Sequence, residues 1–86
     1  MPEAPDELDE EALGAAFGRA LRSVRLERGL SQESLGFACG RHRTYVSALE
    51  RGTSSPTLET VVRLARALGV DAAELVERAE QELGAR

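Results

Sequence analysis

Residues 39–52 read CGRHRTYVSALERG, and they gather three of the chain's eleven basic side chains with its one histidine and its one tyrosine. Nucleophilic chemistry would draw on Cys39 with His42. No third group stands nearby to orient such a pair. Metal chemistry fails on number, because one cysteine and one histidine fall short of the four ligands of a structural zinc site. A lone cysteine also cannot close an internal disulfide, so a reducing compartment is expected. Arginine and hydroxyl chemistry remains, and it asks what scaffold holds these side chains and which way they face.

The chain of 86 residues has the size of a single small domain, since a chain this short buries only about 60% of the surface it exposes when unfolded. Its formal charge is −4, yet the charges are segregated. Residues 1–11 carry six acids and no base, residues 12–70 carry nine arginines against four glutamates, and residues 71–86 carry five acids and two arginines. The middle is therefore basic, and such segregation can matter more than the net sign. No run approaches the ~18 apolar residues of a membrane helix, and the acidic start is unlike a secretory leader, so a cytoplasmic protein is expected.

Residues 1–8 read as an acidic flexible tail and 9–84 as one domain. From Asp9 onward, Leu13, Phe17, Ala20, Leu21 and Val24 recur at helical spacing, and Gly29 ends that helix. Ser31 is placed to cap a second helix that buries Leu35 and Ala38 or Cys39, and Gly40 stops it. His42 is at most a weak cap for a third helix, which turns Val46 and Leu49 inward; Gly52 and the TSSP turn end it. Thr57 caps a fourth helix with a buried stripe of Leu58, Val61, Val62, Ala65 and Leu68. Asp71 and Glu74 open a fifth, carrying Leu75, Val76, Ala79 and Leu83. Five helices and no strand are predicted.

Two short helices joined through Gly40 form a helix-turn-helix, in which the axes cross steeply and a small residue, Gly36, must lie under the crossing. With Val46 and Leu49 inward, Arg43, Thr44, Ser47 and Ala48 face outward. Phe37 is expected to be buried against the first helix or else to form part of a contact surface, Cys39 to serve as buried packing rather than as a redox sensor, and Leu26 to be exposed.

The run from residue 21 to residue 75 resembles the Cro/repressor-type (XRE-type) helix-turn-helix family. The resemblance rests on RLERGLSQESL at 25–35, ERG at 50–52, Pro56 and LARALGV at 64–70. The HRTYVSALERG portion is also similar to the controller proteins of restriction-modification systems. The likeness implies an all-α, lambda-repressor-like fold of five helices and a sequence-specific DNA-binding regulator, repressor or controller, acting as a homodimer on an inverted-repeat operator in double-stranded DNA. It implies a structural ion pair between Arg25 and Glu50. Base-reading positions carried over are Arg43, Thr44, Ser47 and Ala48, with Arg43 the main reader because its planar fork matches guanine. Phosphate positions are Ser31, Gln32, Arg41, His42, Tyr45, Arg51, Thr53 and Ser54.

Arg41 departs from the small aliphatic common in the family, and Phe37 from a polar residue. Val76, Ala79 and Leu83 are expected to form the dimer interface. Neither a cofactor nor a small-molecule effector is expected, nor is an enzyme. The competing reading keeps the fold but gives it to an antitoxin-like or adaptor module whose partner is another protein.

Overall fold

Five helices account for most of the computed structural model, which describes residues 8–84: α1 Glu10–Glu27, α2 Gln32–Ala38, α3 Arg43–Glu50, α4 Leu58–Leu68 and α5 Ala72–Gly84. The tail expected at residues 1–8 lies outside the described residues except for Leu8. Local chemistry sets the helix starts. Asp9 accepts the amides of Glu11 and Ala12 at 3.0 and 3.3 Å, Ser31 accepts that of Ser34 at 2.9 Å, and Thr57 accepts that of Thr60 at 3.2 Å. Each satisfies donors that the first helical turn leaves open. The fifth helix begins with the Leu75 amide donating to the Asp71 carbonyl. Among the described residues, no helix is long and apolar enough to cross a membrane.

The core is built from Leu21, Val24, Leu35, Val46, Leu49, Leu64 and Leu75, all fully buried. The long α1 lies against both α5 and α3, and α2 packs across α3, so both short helices rest on one rigid support. A Cβ on Gly36 would stand 2.8 Å from the Arg41 carbonyl oxygen and 3.2 Å from the Arg43 nitrogen, which is why only the smallest residue fits under the crossing. Gly40 then reverses the chain at φ 75°, a left-handed conformation that glycine adopts without strain.

Three packing expectations are corrected. Phe37 is 87% exposed, because α2 crosses α3 with that side of the helix turned to solvent. Leu58 is 79% exposed and Val62 half-buried, so the buried stripe of α4 is Thr60, Val61, Leu64, Ala65 and Leu68. The buried stripe begins two positions after the helix does. Leu13 is likewise only half-buried, near the start of α1.

Candidate nucleic-acid interface

α3 is fixed from behind. Arg25 of α1 donates to both carboxylate oxygens of Glu50 at the end of α3, from Nε at 2.6 Å and from Nη2 at 3.0 Å, and its Nη1 reaches the Leu30 carbonyl at 2.9 Å. The side chains are 9% and 3% exposed. Hydrogen bonding to Glu50 holds the Arg25 guanidinium further above its ordinary pKa than burial depresses it. The Gln32 amide adds a third donor to Glu50 at 3.0 Å. One carboxylate thus ties α1, α2 and the end of α3 together, and no buried side-chain polar atom among the described residues lacks a partner.

The front of α3 is open. Val46 and Leu49 are wholly buried, Arg43 and Thr44 are exposed, and Ser47 and Ala48 sit half-buried on the outward side. The four expected base-reading positions therefore share one face. At its start His42 is a true N-cap: Nδ1 accepts the Thr44 amide at 3.2 Å and lies 3.0 Å from the Thr44 hydroxyl. That corrects the expectation of a weak cap, the imidazole replacing the usual hydroxyl or carboxylate. At its end the Thr53 hydroxyl donates to the Ala48 carbonyl at 3.2 Å, and Arg51 Nε donates to the Ser47 hydroxyl at 3.3 Å.

The expected phosphate residues ring this face, though not all are free. Ser31, Arg41, His42, Arg51 and Thr53 are exposed and Ser54 is half-buried. Tyr45 is half-buried against the core, with the Arg41 guanidinium 4.9 Å over its ring. That stacking orients an otherwise floppy arginine beside the turn. Gln32 donates one side-chain N–H to Glu50 at 3.0 Å, so part of its carboxamide is engaged inside the fold. Its partner is eighteen positions away in sequence, and only the crossing of α2 over α3 brings them together.

Charge pairing sharpens the picture. Arg19 is paired with Glu82, Arg63 with Glu59, and Arg78 with Glu27 and Glu74. Among the described residues Arg41, Arg43 and Arg51 have no ion pair within 4.0 Å, which they share with Arg22, Arg28 and Arg66; the three bracket the open side of α3 in sequence. On the far side, Ala79 is 3% exposed and packs into the chain's own core, Leu83 is half-buried, and only Val76 points outward at 44%. Ala79 is therefore withdrawn from the expected dimer interface, since it belongs to the chain's own core cluster. Cys39 is buried; its thiol lies 3.6 Å from the Gly36 carbonyl, and loss of hydration pushes its pKa up.

With this geometry, the helix-turn-helix family model matches residues 21–75. The chain belongs to the Cro/repressor-type helix-turn-helix family. That family consists of DNA-binding transcriptional regulators, which is not an enzyme class. The chain is 42% identical over 62 residues to the control protein C.BamHI of Bacillus amyloliquefaciens, covering 71% of this chain and 76% of that one. Its fold is similar to the restriction-modification controller protein C.AhdI of Aeromonas hydrophila, with a TM-score of 0.76 and 41% identity over 79% of this chain and 99% of the other. It is also similar to the controller C.Esp1396I, solved as a tetramer with its natural 35 base-pair operator, at a TM-score of 0.75 and 27% identity over 83% of this chain and 93% of that one.

Proposed function

We propose that this protein is a sequence-specific transcriptional regulator, a repressor or controller of the restriction-modification type, that binds an inverted-repeat operator as a homodimer with α3 in the major groove. The observation that carries this reading is the two-sided character of α3: Val46 and Leu49 buried, Arg43, Thr44, Ser47 and Ala48 on one open face, with Arg41 and Arg51 exposed at its two ends. The operator-bound tetramer of C.Esp1396I supports it.

In this reading Arg43 bonds the two acceptors on a guanine edge, while Thr44 and Ala48 offer methyl groups to thymine and Ser47 a hydroxyl. Ser31, Gln32, Arg41, His42, Tyr45, Arg51, Thr53 and Ser54 hold the sugar–phosphate backbone. The protein acts in the cytoplasm at the nucleoid, without catalysis, cofactor or small-molecule effector.

Duplex binding measured over a salt series tests the proposal. Log affinity is expected to fall linearly with log salt, by about 0.9 for each phosphate neutralised, and Arg51→Ala should flatten that slope by roughly one unit on every sequence. A salt-independent affinity would contradict it.

A further inference from the structure

His42 caps α3 differently from the hydroxyl caps of α2 and α4. Ser31 and Thr57 each accept the amide three residues on and lie 3.0 Å from the hydroxyl of that same residue, Ser34 or Thr60. The longer imidazole of His42 reaches instead to the second residue, Thr44: Nδ1 accepts its amide at 3.2 Å and lies 3.0 Å from its hydroxyl oxygen. Both side chains are exposed, at the end of α3 that carries Arg43.

The two contacts together fix where the hydrogens lie. A backbone N–H can only donate, so Nδ1 presents its lone pair and carries no hydrogen. The Thr44 hydroxyl beside the same nitrogen must then donate to it. With its one hydrogen committed to His42, that hydroxyl offers a ligand only lone pairs, and the bond holds χ1 so that the methyl keeps one orientation. A free threonine rotates and either donates or accepts. Held by His42, Thr44 is an acceptor and a methyl group.

We propose that His42 is the positioning residue that sets the base preference of Thr44, making Thr44 a reader of an A·T pair; the inference rests on the base-reading role of Thr44 proposed above and adds what fixes its polarity. In the major groove an A·T pair offers the thymine methyl and the adenine amino donor on one edge, whereas guanine turns two acceptors toward an oxygen that has no hydrogen to give. Two acceptors facing each other where water is displaced are left unsatisfied, which is costly. A serine at position 42, capping as Ser31 and Thr57 do, would engage the Tyr45 amide and release the Thr44 hydroxyl.

Selection of duplexes from a random pool, followed by competition binding on single-base operator variants, tests this with the full chain, and thermal melting confirms that each variant is folded. Thr44→Ala locates the base pair that Thr44 reads, expected to be A·T. His42→Ser keeps a cap and is expected to lower discrimination at that pair alone, by about fourfold, the worth of one buried methyl. In His42→Asn the amide oxygen stands where Nδ1 stands and accepts the amide two residues on, as the Asp9 carboxylate does from Glu11, so the parent's preference should be retained within about twofold. Both variants lose Nε2 and any phosphate bond it makes, which lowers affinity on all sequences alike and leaves preference untouched.

Full preference in His42→Ser, an equal relaxation at every position in that variant, loss of the preference in His42→Asn, or a guanine at the pair Thr44 reads would overturn the inference while leaving the base-reading role of α3 intact. A Thr44→Ala variant that changes no base preference would overturn the role of Thr44 and the inference with it.

Discussion

Replacing Glu50 with alanine tests the most demanding part of the fold. The carboxylate accepts two bonds from Arg25 and one from Gln32, and its side chain is 3% exposed. Its removal leaves Arg25 charged in a site 9% exposed, with Nε and Nη2 unpartnered and only the Nη1 bond to the Leu30 carbonyl kept. Breaking a buried pair from one side costs about 3–5 kcal/mol, against a total stability of about 5–15 kcal/mol for a small domain. At ~4–8 °C per kcal/mol for this size, the melting midpoint should fall by roughly 12–40 °C.

Glu50→Gln, which keeps the shape and one acceptor but not the charge, should fall between the two. The double variant Arg25→Met, Glu50→Met removes the orphaned charge and should recover at least half of the loss. Urea unfolding followed by circular dichroism on the parent, Arg25→Met, Glu50→Met and the double variant gives all four corners of the cycle. A single-variant loss under about 1 kcal/mol, or a double variant equal to the sum of the singles, would refute the claim that the pair acts as a unit.

Gly18 lies under the Leu49 and Glu50 carbonyl oxygens so closely that a Cβ would overlap both. Gly18→Ala should destabilise the fold by about 1–3 kcal/mol and lower DNA affinity by displacing the end of α3, which melting and binding on the same samples would show. The raised pKa and burial of Cys39 predict a thiol that reacts with iodoacetamide at pH 8 far more slowly in the folded chain than in urea; equal rates would place it at the surface.

Glu27 is held below the usual carboxylate range, chiefly by its hydrogen bonds from Arg78. A depressed carboxylate stabilises above its unfolded pKa and ceases to do so as pH falls through the folded one. The stability gap between the parent and Glu27→Gln should accordingly be present near pH 6 and close as acid is added below about pH 4; a gap constant with pH would contradict the pairing.

The parts of the fold legible in the sequence were those set by local chemistry. Ser31 and Thr57 cap because a side-chain oxygen meets an amide three residues on, and Gly36 and Gly40 are fixed by a crossing and a turn that five residues specify. The outward set on α3 was readable because Val46 and Leu49 determine the opposite side. What escaped depended on distant neighbours. Phe37 reads as buried by its type, but the crossing of α2 leaves that side uncovered; Leu58 fits the apolar period of α4 but precedes the region the core reaches.

Ala79 had the spacing of a surface strip and lies instead in the core cluster, which the packing of α5 on the rest of the fold decides. The bond from Gln32 to Glu50 left no sequence signal beyond two polar residues on packed helices. The familiar Arg25–Glu50 pair came from family resemblance rather than from spacing.

Selection of bound duplexes from a random DNA pool, with the parent chain and Arg43→Ala side by side, tests most directly whether the open face of α3 reads bases. The parent should enrich an inverted repeat whose half-sites lie about one DNA turn apart, and Arg43→Ala should lose preference at one guanine in each half-site while keeping the rest. A pool that stays random, or a preference unchanged by Arg43→Ala, would contradict it.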